Sequence, residues 1–190
     1  MPPRDRQQAA HAVEAFLRAL GHDPSRSDDL RETGARVADA WCDDLLAGEE
    51  IDPVALLRAE SFAAPAGGGG VVMLRDVEVA TVCPHHLMPA LGTAQLAYVP
   101  GDRVAGLGTL TRALDACAHR LTLQEHLGQS FVDAVMEALG ARGAACLLRL
   151  RHACLSARGR RSNAWVETLA SAGVLAPGAG MHAVLSGWMR

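Results

Sequence analysis

The chain contains no lysine, since all 18 of its basic residues are arginine. This excludes a Schiff-base lysine and a phosphate-binding lysine from any mechanism. Aromatic residues make up only 4% of the chain, so the core must be built mainly from Ala, Leu and Val, and assembly with other subunits would add buried area. No apolar run approaches the roughly 20 residues that a membrane-spanning helix needs, so we expect no membrane partner.

Charge and cysteine usage narrow the class of protein further. The formal net charge of -3 argues against a general nucleic-acid-binding surface. The five cysteines are odd in number and irregularly spaced, and we find no apolar signal segment. This pattern is typical of a reducing compartment without structural disulfides. We therefore expect a cytoplasmic protein.

The spacing of apolar residues changes along the chain. Helical spacing predicts helices at 7–20, 25–48 and 54–58, and a helical stretch at 109–139 with a break near 121–124. Segments rich in β-branched residues predict strands at 71–83, 92–101, 144–155 and 162–170. The glycine-rich segment 64–70 indicates either a flexible connection or a tight loop beside a ligand. We expect a helical region over 1–63 and, over 64–190, an α+β domain with an antiparallel sheet.

The stretch CPHHLMP (83–89) concentrates soft metal ligands in one turn. Cys83, His85 and His86 fall within four residues. On the predicted strand 144–155, His152 and Cys154 are two residues apart and therefore project to the same side. Thiolate and imidazole ligands together suit Zn²⁺. Two cysteines and one histidine would leave a position for water, as in catalytic sites, whereas a fourth protein ligand would make a closed structural site.

Several separate motifs resemble GTP cyclohydrolase I. The stretch CPHHLMPALGTAQLAYVPGDRVAGLGTLTRALDACAHRLTLQEHL is similar to the centre of that family, with its Cys-Glu-His-His, Tyr-Ile-Pro and Gln-Glu-Arg motifs. HACLSARG is similar to the family's His-x-Cys-x-x-x-Arg-Gly, and RETGARVADAW resembles its Thr-Pro-x-Arg-Val-Ala helix. The matches run in consistent order from about residue 30 to 175.

This resemblance implies a fold, an assembly and a reaction. The fold would be the tunnelling fold, or T-fold: an antiparallel sheet with two helices on one face, preceded here by a helical extension. Sheets from five subunits would close into a barrel, and two such rings would stack as a homodecamer with active sites between subunits. The reaction would be zinc-dependent opening of the guanine ring of GTP at C8 with release of formate, giving 7,8-dihydroneopterin triphosphate.

Carried over position by position, the resemblance implies three sets of site residues. The zinc ligands would be Cys83, His86 and Cys154. The residues that handle protons would be His85 and His152, a role that suits imidazole near neutral pH. The substrate contacts would be Gln124 and Glu125 at the guanine edge, where a carboxylate accepts two hydrogen bonds, and Arg112 and Arg158 at the phosphates.

The chain departs from the family pattern within these motifs. Pro84 replaces a glutamate, Gly108 a serine, Thr109 a phosphate-binding lysine and His126 an arginine. The strand segment SNAWVETLAS gains bulky Trp165 and acidic Glu167, and the C-terminal Arg-x-Glu-Phe-Leu pattern is reduced to MHAVL. These departures thus remove positive charge that would bind phosphate, and one hydroxyl group. Three hypotheses remain. The first is GTP cyclohydrolase I with a rearranged triphosphate pocket. The second is a zinc hydrolase of the same fold that acts on another guanine-type substrate or stops before pterin formation, and the third is a non-catalytic zinc-bearing assembly protein.

Overall fold

The structure is a computed structural model that describes residues 3–65 and 70–188. Most of the glycine-rich segment predicted as a connection, residues 66–69, lies outside the described residues. The chain divides into two compact units, Met1–Ala47 and Gly48–Arg190. The second unit begins at Gly48, before the domain boundary that the sequence predicts between residues 63 and 64.

The first unit consists of helices. The predicted first helix is present as α1 (Arg6–Ala19), and the side chain of Asp5 accepts a hydrogen bond from its first turn. The long second helix predicted at 25–48 is wrong. Instead the chain forms a 3₁₀ turn, then turns, then α2 (Thr33–Asp39), which continues as a π-helical turn over Ala40–Leu45. Ser25 bonds to Asp23 through both its hydroxyl and its backbone N–H, and such local side-chain bonds favour turns over helix.

Among the described residues, every strand belongs to the second unit. In chain order its elements are α3 (Pro53–Ala59), β1 (Ser61–Ala63), β2 (Val72–Cys83), β3 (Met88–Val99), β4 (Arg103–Ala105), α4 (Leu107–Ala118), α5 (Gln124–Leu139), β5 (Gly143–His152), α6 (Ala153–Ser156) and β6 (Val166–Gly173). Four strands form one antiparallel sheet in the order β2–β3–β5–β6, and β1 pairs with β4 in a second, two-stranded sheet. The α+β class with an antiparallel sheet is confirmed, whereas the small sheet was not predicted.

One face of the four-stranded sheet packs against helices. Its buried residues are Ala90, Ala94, Leu96, Tyr98, Ala144, Cys146, Leu148 and Leu150, and they form one cluster with α4 and α5 residues such as Leu114 and Phe131. Two helices on one face were predicted, and this is confirmed. Leu57 of α3 is fully buried in the same cluster, which explains why the compact unit starts before residue 63. As expected from the composition, small aliphatic side chains dominate this core.

The opposite face of the sheet is covered at one end. Ala97 and Leu147 pack there against Leu185 and Trp188 of the C-terminal segment. At the uncovered end, the ring of Trp165 lies 4.9 and 4.5 Å from the guanidinium carbons of Arg149 and Arg151. Glu167 pairs with Arg149 at 3.1 Å. Two of the departures from the family pattern, Trp165 and Glu167, therefore belong to the face of the sheet that α4 and α5 leave uncovered.

The strand ends differ from the sequence prediction where the chain turns. β3 begins at Met88 rather than residue 92, because Cys83 pairs with Met88 and residues 84–87 form a four-residue hairpin loop. The loop closes through a hydrogen bond from Leu87 N–H to Cys83 O, with Leu87 at φ 53°. β5 ends at His152, so Cys154 lies in the short helix α6. β6 begins at Val166 and ends at Gly173 rather than spanning 162–170.

Two strands of the sheet approach each other closely at one glycine. A Cβ atom on Gly92 of β3 would lie 2.1 Å from the carbonyl oxygen of Arg149 on β5, so any other residue would push the strands apart.

The predicted break between the two long helices is confirmed. Within residues 3–65 and 70–188, no helix is both long and apolar enough to cross a membrane.

Candidate active site

An open cleft of about 440 Å³ lies at the end of the sheet where the CPHHLMP turn is located. Its lining residues come from β2, the loop before α5, the start of α5, the end of β5, α6 and β6: Thr81, Cys83, His85, Thr122, Leu123, Gln124, Glu125, His126, His152, Cys154, Leu155 and Val166. Six of the nine site residues expected from the sequence are among them. His86, Arg112 and Arg158 are not among the described lining residues.

The hairpin loop places the first group of cleft residues. Cys83 is the last residue of β2 and is 7% exposed, whereas His85 and His86 lie on the loop and are exposed. The loop before α5 is attached to the same strand, since Val82 forms a bridge with Leu121. The cysteine thiol is therefore fixed by the sheet, and the two imidazoles are held by a turn that is more open to solvent.

His152 reaches the cleft because it ends β5 on the helix-covered face of the sheet. Thr81 pairs with Ala90, and Ala90 pairs with His152, so the three residues form one row across β2, β3 and β5. Directly opposite residues in a sheet share a face. The chain then turns into α6, which brings Cys154 to the same cleft. The two residues do meet at one site, although Cys154 gets there by the helical turn and not by strand alternation.

Gln124 holds His152 in one orientation. The side chain of Gln124 is 3% exposed, and its Nε2 donates to the carbonyl oxygens of Leu148 (3.2 Å) and Val166 (3.0 Å). Its Oε1 lies 2.8 Å from His152 Nε2. Because an amide oxygen only accepts hydrogen bonds, His152 Nε2 carries the proton. The lone pair of the neutral imidazole is then on Nδ1.

The surroundings of His152 favour the neutral form of its imidazole. Burial lowers the pKa of His152 below its ordinary value, and the carboxylate of Glu125 offsets part of that effect. A neutral imidazole with one defined lone pair is suited to accept a proton and to return it.

The same hydrogen bonds change the role expected for Gln124. Both amide protons are donated to main-chain carbonyl oxygens, and the amide oxygen accepts a hydrogen bond from His152. The amide therefore has no free donor for the guanine edge. In this structure Gln124 positions His152. Glu125, the next residue, is exposed and lines the cleft, so its carboxylate can meet a ligand there.

Arg112 is paired within its own chain. Its Nη1 donates to both carboxylate oxygens of Glu60, at 2.7 and 2.8 Å, and Thr109 Oγ1 donates to the same carboxylate at 3.1 Å. These bonds lower the pKa of Glu60, with Arg112 as the largest cause. Arg158 lies in an exposed turn in which Arg161 N–H bonds to the Arg158 carbonyl. Sequence alone did not indicate the role of Glu60.

The cleft offers ligand types that suit zinc. The thiols of Cys83 and Cys154 are both free of disulfides and line the cleft together with the imidazoles of His85 and His152. Two thiols and neighbouring imidazoles are the donor set that Zn²⁺ prefers. In the described part of the chain, however, no three His, Cys, Asp or Glu side chains lie close enough to hold one ion. Binding by Cys83, His86 and Cys154 would require side-chain movement, and their role stays a prediction.

The cleft also contains residues that the sequence reading did not single out, chief among them Thr81 and Thr122. The signal for Thr81 was available, because Thr81 precedes Cys83 by two residues on a predicted strand, and such residues share a face. Thr122 falls in the predicted break between helices, where no periodicity indicates which side chains face inward.

Known proteins resemble this chain over most of its length. The family model for GTP cyclohydrolase I matches residues 9–184. GTP cyclohydrolase 1 of Leifsonia xyli subsp. xyli (strain CTCB07) is 40% identical over 173 residues, which cover 90% of this chain and 89% of that protein. GTP cyclohydrolase 1 of Bifidobacterium longum (strain DJO10A) is 37% identical over 173 residues, which cover 90% and 84%. Together these matches show that the chain belongs to the GTP cyclohydrolase I family of enzymes.

Proposed function

We propose that this chain hydrolyses the guanine imidazole ring of GTP at C8, releases formate and forms 7,8-dihydroneopterin triphosphate. Membership of the family supports the reaction class. The observation on which the proposal depends most is the His152–Gln124 hydrogen bond of 2.8 Å, which engages Nε2 and leaves Nδ1 of His152 free to serve as the proton acceptor when the ring is neutral. His85, on the hairpin loop of the same cleft, is the second proton-handling residue.

Zn²⁺ is the proposed cofactor, with Cys83, His86 and Cys154 as its ligands. When bound, it would act as a Lewis acid and would lower the pKa of bound water toward about 7. The two cleft thiols support this assignment. The exposed position of His86 on a four-residue loop allows its side chain to turn toward them.

The substrate would be held by one carboxylate and two arginines. Glu125 lines the cleft, and its carboxylate can accept from the ring N–H and the exocyclic amine of a guanine together. Arg112 and Arg158 would bind phosphate oxygens. Because neither arginine is among the described lining residues of the cleft in its own chain, we propose that a second copy supplies them.

A homo-oligomer with the T-fold is therefore part of the proposal. The sheet order leaves β2 and β6 as edge strands, and edges are where further strands can pair. We propose a barrel of sheets from five subunits and a decamer of two such rings. Native mass spectrometry tests this, since ten chains of 20.0 kDa each are expected. The cytoplasmic location stays a prediction.

One observation favours a second candidate function. The Glu60 carboxylate forms an ion pair with the Arg112 guanidinium, and Thr109 stands at the position of the family's phosphate-binding lysine. A site with less free positive charge favours a guanine substrate with fewer phosphates, and the hydroxyl missing at Gly108 favours a reaction that stops before the pterin. Either would still be zinc-dependent opening of a guanine-type ring.

A product assay separates these candidates. The purified protein is incubated with GTP, GMP and guanosine, and formate release and pterin absorbance are followed together. Equal amounts of both products from GTP support the first candidate. Formate without pterin, or turnover only of substrates with fewer phosphates, supports the second. If the zinc-loaded protein turns over none of these substrates, both candidate functions are wrong. The hypothesis of a non-catalytic assembly protein then remains.

A further inference from the structure

Thr81 has a hydroxyl that no part of the described chain satisfies. The residue lies on β2, lines the cleft and is 3% exposed. Its Oγ1 is buried and has no hydrogen-bond partner among the residues that the structure describes. Buried polar groups are almost always hydrogen-bonded, so an exception needs an explanation, such as a ligand that arrives later.

Thr81 also lies in line with the proposed proton acceptor. The row Thr81–Ala90–His152 crosses three strands, and its two outer members line the cleft. Directly opposite residues have Cβ atoms about 5 Å apart, so the two outer side chains start about 10 Å apart. Between them the row contributes only the methyl group of Ala90. This separation suits a flat heterocycle with one polar edge near each end of the row.

Two other polar side chains of the cleft, Gln124 and Thr122, are already paired. The amide of Gln124 is bonded to two carbonyl oxygens and to His152. The hydroxyl of Thr122 donates to the carbonyl oxygen of Leu123 at 3.2 Å. Thr81 differs from both, because a ligand that enters the cleft can give it the partner it lacks. Rotation about its χ1 exchanges the positions of the hydroxyl and the methyl group, so no backbone movement is needed.

We propose that Thr81 is a substrate-binding residue whose hydroxyl forms a hydrogen bond with the heterocyclic base of the substrate. The inference rests on the proposed function, in that the base is a guanine-type purine. A hydroxyl both donates and accepts hydrogen bonds. A site with a group placed to bond a polar atom of its substrate discriminates against substrates that leave this group unpaired. Thr81 thus determines specificity for the base and not for the phosphates.

The test compares two substitutions at Thr81 with a matched one elsewhere. Thr81→Val keeps the shape and removes the hydroxyl, whereas Thr81→Ser keeps the hydroxyl. Thr168→Val is the control, because Thr168 Oγ1 is also buried and without a partner in the described part of the chain, and Thr168 is not among the described lining residues of the cleft. We measure KM and kcat for GTP, thermal unfolding, and GTP binding in the His152→Ala background.

We expect Thr81→Val to raise KM and the Kd for GTP about tenfold, which is a typical effect of one lost hydrogen bond to a ligand, with kcat changed much less. Its melting temperature should be unchanged or higher, since the hydroxyl has no partner in the free protein. Thr81→Ser and Thr168→Val should bind GTP as the parent protein does.

Two results would overturn the inference while leaving the proposed function intact. One is an active parent protein whose Thr81→Val variant has unchanged KM and Kd. The other is a Thr81→Val variant with a lower melting temperature and normal binding, which would give the hydroxyl an internal structural partner. If instead the zinc-loaded parent protein neither binds nor turns over any guanine substrate, the proposed function itself fails, and the inference fails with it.

Discussion

Gln124 and His152 are joined by a 2.8 Å hydrogen bond between Oε1 and Nε2, and the same amide donates to the carbonyl oxygens of Leu148 and Val166. Because both donors are used, the orientation of the amide is determined by its network, and the tautomer of the imidazole follows. Gln124, expected from the sequence at the guanine edge, thus positions His152, the proposed proton acceptor.

Gln124→Ala should lower kcat by about 10- to 100-fold, because the lost hydrogen bond frees the imidazole to rotate and to change tautomer, and general base catalysis depends on its placement. The carbonyl oxygens of Leu148 and Val166, one buried and one partly buried, would each lose a hydrogen bond, which costs on the order of 1–3 kcal/mol in the free energy of unfolding. Steady-state kinetics and thermal unfolding check both effects. Gln129→Ala is the control, since Gln129 is exposed and bonds to Asp133 one turn along α5. A raised KM with normal kcat would return Gln124 to the substrate contacts.

Zinc content should separate ligands from proton-handling residues. Cys83→Ala and Cys154→Ala should each lose most of the bound zinc, whereas His152→Ala should keep it and lose turnover. The reason is that the resemblance assigns the metal to Cys83, His86 and Cys154, whereas His152, held by Gln124 through Nε2, is assigned to proton transfer through Nδ1. Elemental analysis of protein purified without chelators provides the measurement. Cys42→Ala is the control because Cys42 is not among the described cleft residues. Loss of zinc from His152→Ala would make His152 a ligand and contradict the assignment.

Glu60→Ala should improve the use of GTP. Removal of the carboxylate frees the Arg112 guanidinium to bind phosphate, and because exposed ion pairs are weak, KM for GTP should fall by no more than about fivefold. KM for guanosine, which has no phosphate, should not change. Glu137→Ala is a matched control, because Glu137 pairs with Arg58 on the surface at 2.9 Å. An equal change for GTP and guanosine would show that Arg112 does not meet phosphate.

Gly108→Ser should raise the ratio of pterin to formate. The resemblance implies that the family serine at this position serves the later ring rearrangement, and, apart from its neighbours and the backbone of its own helix, no atom of the described chain lies within 4 Å of a Cβ added there. Replacing glycine by serine within a helix also stabilises it by about 0.5 kcal/mol. Gly106→Ser, at the N-cap of α4, should stabilise the helix without changing the product ratio. The contrary result is a ratio that stays the same in Gly108→Ser protein that folds normally.

The sequence predicted those features that depend on periodicity. Alternation along the predicted strand puts Leu148 and Leu150 on the same side as His152 and Arg149 on the other, and in β5 the two leucines are buried and Arg149 is exposed. The break between α4 and α5 was visible because the helical spacing stops there. Six of nine predicted site residues line one cleft. The reason is that the family motifs lie at the ends of strands and helices that meet at one end of the sheet.

The features that were missed depend on contacts between distant residues. Nothing near Arg112 in the sequence indicates that Glu60, far earlier in the chain, takes its guanidinium. The role of Gln124 depends on two carbonyl oxygens from β5 and β6, which no local pattern can reveal. The 25–48 helix was overpredicted because apolar spacing continues through residues whose side chains favour turns.

The indole of Trp165 is 41% exposed and lies between two guanidinium groups on the uncovered end of the sheet. Tryptophan emission shifts to shorter wavelength when water leaves the ring, so this side chain is an intrinsic optical sensor of that surface. If other copies of the chain cover the surface, dilution below the dissociation constant of the assembly would shift the fluorescence to the red. Assembly could then be followed in real time without a label, a practical advantage in a protein that offers no lysine for conjugation.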